Sequence, residues 1–530
     1  MDVSRTVGMK AGHLTRGVIQ MRKSIWLGSA GLAAVMLIAS PAYAGGMKKE
    51  DRRDQEIQDL KARLDRLERE AEDDKIQSSS RLKKVEETQD AVQWTFNDGR
   101  PTVRSGDGRF EMSLRGRIQL DFAEFNQDPS DFGLGYGAAN NCDATNVLCD
   151  LGSGAVFRRV RFGIEGKFFR DFIYELRFDF GGTDIEGAGI INIARVGYVG
   201  IPGLRIQAGA LQPILTMYDS TSSAELTTME RPQVVTLLVG NFGGDNGRKG
   251  VEVTYQKEGL LWDGDNFLIS GALTGDRVAT NGTSHSGGPD DERSQFVGRM
   301  AYRLWSDGVS NFQIGGSYAQ INSLQGNAPG VARTLQLRER PEIRVTGERF
   351  IDTGALSLAQ DDPARAMGFE AGFNWENLYL AGEWYKFELD RVGAGVTKDP
   401  DFSGWYIEGE WILTGEAKRY VASGTNNNIA VFRGPSIASP WSLGGGIGAW
   451  SLHARYSKMD LNSNEFDAVA ANRIRGGEET HTIIGATWYM NANLKLMAEY
   501  NMVEVDRLTA GGASLDADFD VIQSRIMFTF

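Results

Sequence analysis

The sequence predicts an all-β fold, a sixteen-stranded antiparallel transmembrane β-barrel preceded by a short N-terminal coiled-coil helix. Three observations predict it. From about residue 109 onward the chain is a succession of alternating, aromatic- and Gly-rich segments of roughly ten residues, separated by turns or polar loops, as in a barrel that faces lipid. A secretory leader stands near the N-terminus. The chain closes on VIQSRIMFTF, where Ile522, Ile526 and Phe528 share a face with the terminal Phe530.

The leader is read from a basic start at Met21-Arg22-Lys23, the apolar core IWLGSAGLAAVMLIAS and the A-x-A site Ala42-Tyr43-Ala44, with Gly45 following the cut. The apolar run is short for a full span and ends in a cleavage site, which disfavours a membrane-anchoring helix. The expected organisation is an upstream extension over residues 1–20, a signal peptide over 21–44, a periplasmic coiled-coil segment over 45–93 and the barrel over 94–530, in the bacterial outer membrane.

The chain carries 57 Lys and Arg against 70 Asp and Glu, a net charge of −13. Removing residues 1–44 takes away one acid and five bases and leaves −17, which argues against a nucleic-acid partner. No later stretch is apolar for long enough to form a membrane-spanning helix. Two cysteines, Cys142 and Cys149 in NCDATNVLCD, are expected to form a disulfide across one loop in an oxidising compartment; a metal site would need more Cys or His nearby. No metal and no other cofactor is implied.

Ile57, Leu60, Leu64, Leu67 and Ala71 recur at alternating spacings of three and four, a heptad run that Asp74, Ser78 and Arg81 interrupt. Oligomerisation and a solvated helical arm are both open readings of this weak seam. Candidate barrel strands begin near Arg109, Ala155, Asp171, Gly189, Gly203, Gly247, Asn266, Ser294, Asn311, Arg365, Leu378, Phe402, Ile447, Glu478, Asn493 and Ala517. Short turns (FFRDF, IPG, SDGVS, WENL, NANL) alternate with long connections such as 126–154, 212–246, 320–364 and 460–477, as periplasmic turns alternate with outer loops. The connection 414–446 is long where a short turn is expected, a candidate plug or docking surface.

Period-two reading assigns the faces. In LRGRIQLDF, Leu114, Gly116, Ile118, Leu120 and Phe122 face out while Arg115, Arg117, Gln119 and Asp121 face in. In VFRRVRFGIEGKFFRDF, Val160, Phe162 and Ile164 face lipid while Arg159, Arg161, Glu165 and Lys167 face the lumen; Arg158 falls on the lipid side unless the strand bulges. Arg205, in LRIQAGAL, joins the lumen set. Such arginines either meet passing solute or brace the lumen by pairing with loop acids such as Glu225 and Glu230. Catalysis is not supported: His453 and Ser451 are neighbours on one face without an orienting acid, and the Gly repeats GLGYGAAN and GGGIGAW do not open a helix after a strand.

FEMSLRGRIQLD, FRRVRFGIEG, FRDFIYELRFDF, LRIQAGALQPI, SSAELTTMERP and GAWSLHARYS together resemble the phosphate- and polyphosphate-selective porins, over most of residues 94–530. The resemblance implies a homotrimer narrowed by its third outer loop, here 212–246, with an arginine ladder leading anions to a constriction of lysines and hydroxyls. By local match Arg117, Arg158 and Arg159 fall on the ladder, Ser222 and Ser223 fall on the constriction serines, and Glu225 and Arg231 belong to the same loop. Where the family's constriction lysines are expected, this chain has Ile173, Asp219 and Ala224, so weakened phosphate selectivity is expected, with the Asp219 carboxylate in the anion's way. The last strand resembles the signal that the barrel-assembly machinery reads, through Phe530. The expected function is passive diffusion of small hydrophilic solutes, anions included, across an outer membrane whose lipid surrounds the barrel; the alternative is an envelope anchor tethered by the coil.

Overall fold

The computed structural model describes residues 49–97, 99–127, 151–182, 190–278, 292–324 and 333–530. The leader and the Cys142–Cys149 loop lie outside the described residues. The chain divides into two units, Met1–Leu82 and Lys83–Phe530. The first is occupied by helix α1 (Lys49–Asp90), which runs on into the second. Ile57, Leu60, Leu64 and Leu67 are exposed along it, so the single chain leaves its heptad seam uncovered. No described helix is long and apolar enough to cross a membrane.

The second unit is built on sixteen strands: β1 (Glu111–Asn126), β2 (Gly154–Phe168), β3 (Phe172–Asp179), β4 (Ile190–Tyr198), β5 (Leu204–Leu211), β6 (Arg248–Glu258), β7 (Asn266–Arg277), β8 (Ser294–Ser306), β9 (Asn311–Ser323), β10 (Asp361–Trp375), β11 (Leu378–Leu389), β12 (Asp401–Ile412), β13 (Ala449–Ser463), β14 (Ile474–Tyr489), β15 (Leu494–Asp506) and β16 (Ala517–Thr529). Each pairs antiparallel with the next, and β16 returns to β1 from Asp520↔Asn126 to Thr529↔Arg117, which closes the barrel. Closure leaves no edge, the condition for a sheet to sit in lipid.

The terminal Phe530 completes the seam by exchanging main-chain hydrogen bonds with Gly116 at 2.9 and 3.1 Å. A Cβ on Gly116 would stand 2.1 Å from the Phe530 ring, so a larger residue there would push the terminal ring aside. A hairpin of Gln93–Asn97 and Arg100–Arg104 precedes β1 and pairs onto it through Thr102↔Ser113.

Apolar side chains cover the outside. Trp375, Trp405, Trp411, Trp450 and Phe369 are exposed there, and Trp450 stacks on Trp488 at 4.9 Å, an aromatic surface suited to a membrane boundary. The inside is less uniformly polar than strict alternation predicts. Tyr385, Phe387, Phe402, Tyr406 and Met459 point inward and pack against the third outer loop, whose helix α2 (Gln233–Asn241) supplies Val234, Val235 and Leu238. Ile343 and Phe350 of the β9–β10 loop join this cluster, and Phe242 meets Phe387 at 5.6 Å between ring centroids. The lumen on this side is therefore packed, and a solute path has to run along the other wall.

Two departures from the expected layout follow from specific residues. The register between β1 and β2 slips where Gln119 pairs with Arg159 but Leu120 pairs with Phe157, a bulge that inserts Arg158 and turns both arginines inward. The long β12–β13 connection enters the lumen as a hairpin of Lys418–Val421 and Val431–Pro435. Arg299, ion-paired with Glu370 at 2.7 Å, also donates to Ala430 O at 2.7 Å. Lys418 pairs with Glu410 at 2.7 Å, and Tyr420 donates to Gln313 at 2.6 Å. Ile429, Ala430, Val431 and Phe432 are buried, so the hairpin is part of the core.

Candidate functional site

The third outer loop, between β5 and β6, is held by carboxylates on the barrel wall. Glu370 on β10 accepts from Met217 N at 3.0 Å, Glu383 on β11 from Tyr218 N at 2.9 Å, and Glu499 on β15 from Met229 N at 2.6 Å. The inward acids of β10–β12 and β15 are thus engaged with the loop and the lumen hairpin. Ser451 and His453 serve the same wall: the hydroxyl donates to Glu410 at 2.7 Å and the imidazole faces Glu499 at 3.1 Å, so the two do not form a nucleophile and base.

The opposite wall, β1 to β4, carries arginines. They meet the loop and the lumen hairpin around a cavity of about 30 Å³ lined by Arg115, Arg117, Arg161, Arg177, Arg195 and Arg231, by one carboxylate, Glu175, and by Ser222, Ser223 and Asn426–Asn428 of the hairpin tip. A volume of that order holds about two water molecules. On the long-loop side a cavity of about 100 Å³ shares Arg161, Arg231 and Asn246 with it, and on the short-turn side a cavity of about 640 Å³ shares Arg115, Arg117 and Ser222. The three share walls one after another along the barrel, and the middle one is the smallest.

Glu175 organises the narrow point. It takes Arg195 at 2.8 Å, Arg177 at 3.3 Å and Arg115 at 3.4 Å, while Arg115 also pairs with Glu165 at 2.6 Å. Arg161 pairs with Asp179 at 2.5 Å. Arg117 donates to Ser222 at 2.8 Å and to Ser223, and among the described residues no carboxylate lies within ion-pair distance of it. Four carboxylates, Glu165, Glu175, Asp179 and Asp219, pair with five of these six guanidiniums, which leaves Arg117 and a net positive field at this point of the route.

Most of the expected site residues meet here. Arg115, Arg117, Arg161, Ser222, Ser223 and Arg231 line the narrow cavity, and Arg158 and Arg159 line the long-loop cavity beside Glu230. Three expectations are corrected. Arg205 is 2% exposed and lies beneath the hairpin, bonded to Glu252 at 3.1 Å and to Asn426 O, because that hairpin fills the lumen above β5. Lys167 sits at the short-turn end of β2 and lines none of the three cavities. Asp219 lines the long-loop cavity rather than the narrow one, and its charge is met there: it is 2% exposed, pairs with Arg231 at 3.3 Å and accepts from Gln212 at 3.2 Å.

Burial pushes the Asp219 carboxyl up, against the pull of Arg231. Glu225 faces the hairpin, paired with Arg433 at 2.8 Å; burial would raise its carboxyl, but Arg433 and its neighbours hold it at about 2. Period-two reading of FIYELRFD and IINIARVGY would have placed Arg177 and Arg195 inside. The approach of Asn426–Asn428 has no local signal.

A closed barrel, apolar outside and crossed by a charged route inside, is the architecture of a porin. A family model described as "Phosphate-selective porin O and P" matches residues 113–530, and the chain belongs to that family of outer-membrane porins. Porin O of Pseudomonas aeruginosa is 22% identical over 448 residues, 81% of this chain and 90% of that protein. An uncharacterised protein of Caulobacter vibrioides is 24% identical over 437 residues, 79% of this chain and 76% of its own length. Among solved structures, an anion-selective porin from Comamonas acidovorans aligns with a TM-score of 0.46 and 12% identity, over 79% of this chain and 100% of that one.

Proposed function

We propose that this porin is selective for small hydrophilic anions, and that arginines do at its constriction what lysines do in the relatives the sequence resembles. The observation that carries this is the set of six arginines around the narrow cavity, which outnumber their four carboxylate partners and include Arg117, paired with no described carboxylate. Guanidinium and serine donors can replace part of an anion's hydration shell at that point, and a cation finds one carboxylate already shared among three arginines. The cavity's size limits the solute to a few heavy atoms beyond its charge. An envelope anchor would have no use for such a route.

The active unit is a homotrimer set in outer-membrane lipid and delivered by the barrel-assembly machinery through Phe530. Residues 45–93 lie in the periplasm, where the exposed seam of α1 contributes to assembly with two other copies. Residues 21–44 act as the signal peptide. Swelling of liposomes that contain the purified porin tests the selectivity: salts of small organic anions with potassium should enter faster than size-matched organic cations with chloride. Faster entry of the cation series would overturn it.

A further inference from the structure

Above the constriction the route passes a second cationic cluster that already holds a carboxylate. Glu230, in the third outer loop and 3% exposed, receives Arg158 at 2.9 and 3.1 Å, Arg525 at 2.6 Å and Arg159 at 3.3 Å, with Arg344 at 3.9 Å. Arg525 is also paired with Asp121 at 2.6 Å, and Arg344 with Glu339 at 2.8 Å. Four guanidiniums therefore converge on one carboxylate. The cluster is not sealed off, because Arg158, Arg159, Arg344 and Glu230 all line the cavity of about 100 Å³ that shares Arg161 and Arg231 with the constriction.

We propose that Glu230 is a specificity-determining residue: its side chain is a tethered counter-anion that fills what would otherwise be a tight oxyanion-binding site on the solute route. An open site of four guanidiniums would hold a multivalent oxyanion and stall transit, since conduction requires binding weak enough to release. With the site occupied by the protein's own carboxylate, passing anions meet only the constriction below. The inference rests on the anion-selective reading above. It also predicts that the native porin passes phosphate without being blocked by it.

The position allows a clean test, because the loop is held here by main-chain bonds that the side chain does not make. Glu230 O accepts from Arg455 at 2.8 Å and from Thr228 Oγ1 at 2.9 Å, and Met229 N donates to Glu499. Glu230→Gln keeps the shape and removes the charge. In planar bilayers in potassium chloride, inorganic phosphate should block chloride current through the variant at a concentration at least tenfold lower than through the parent. Equal blocking concentrations would overturn the proposal.

If the variant assembles only poorly, its folding yield in phosphate is compared with that in chloride of equal ionic strength. Recovery by phosphate supports a vacated anion site, and no recovery overturns it. A parent that proves cation-selective in the same bilayers sinks the underlying reading. An anion-selective parent with an unaltered variant sinks only this inference.

Discussion

Arg117→Gln removes the constriction guanidinium that no described carboxylate compensates, while keeping an amide that can still donate to Ser222 or Ser223. An anion passing at about 5 Å from that charge is stabilised by roughly 0.8 kcal/mol at the dielectric of water and by roughly 3 kcal/mol at an effective dielectric of about 20. The confined, polar cavity lies between these limits. Since each 1.4 kcal/mol is about a factor of ten, even the lower figure predicts that anion permeability relative to cations falls at least about fourfold. The assay is the reversal potential of reconstituted channels under a potassium chloride gradient, read beside Arg117→Lys, which keeps the charge and loses the planar fork. An unchanged permeability ratio in Arg117→Gln would refute the reasoning, because it would mean that the field at the narrow point arises elsewhere.

Replacing the hairpin 418–435 by a short turn should raise single-channel conductance severalfold and admit larger solutes in liposome swelling, since Asn426–Asn428 form one side of the narrow cavity; unchanged conductance would mean the hairpin does not narrow the route. Because burial raises the Asp219 carboxyl, it should take up its proton at a higher pH than Glu225, which is held at about 2. As pH falls below neutrality, protonation of Asp219 should free Arg231 and increase anion selectivity, an effect absent in Asp219→Asn. The sign is opposite for stability contributed by Glu225 and Glu230: both carboxyls are held below the ordinary 4.5 by neighbouring arginines, so their contribution is complete above that pH and is lost as the medium becomes more acid, for Glu225 as pH falls toward about 2. Thermal melts of the detergent-solubilised barrel from pH 6 to pH 2 should show it, reduced in Glu225→Gln.

Much of this architecture was legible in the sequence because a barrel in lipid imposes a period of two on every strand. Each strand start read from the pattern falls within a few residues of an observed one, the widest gaps being at Asp361 and Ile474, where strands extend further into the outer loops. The hairpin before β1 was missed although the sequence NDGR between its two strands is a strong hairpin signal, with Gly99 at φ +74°. Arg158 shows the limit of strict alternation: one bulge moves it from lipid to lumen, and what pointed there was the resemblance that puts Arg158 on the arginine ladder.

The site was less legible for a different reason. Net charge does not say where the acids sit, and the structure divides the lumen: Glu370, Glu383 and Glu499 are committed to loop main chain on one wall, and arginines in excess of their carboxylate partners face the route on the other. That partition depends on where the third loop and the hairpin fold, which residue counts along a strand do not encode. Asp219 likewise reads as repulsive to anions from sequence alone, because its pairing with Arg231 is a contact within the folded loop.

The most direct test of the central claim is the zero-current potential of the native porin in a planar bilayer separating concentrated from dilute potassium chloride at neutral pH. An arginine-dominated constriction predicts a potential whose sign marks chloride as the more permeant ion. A sign that marks potassium as the more permeant ion would contradict it.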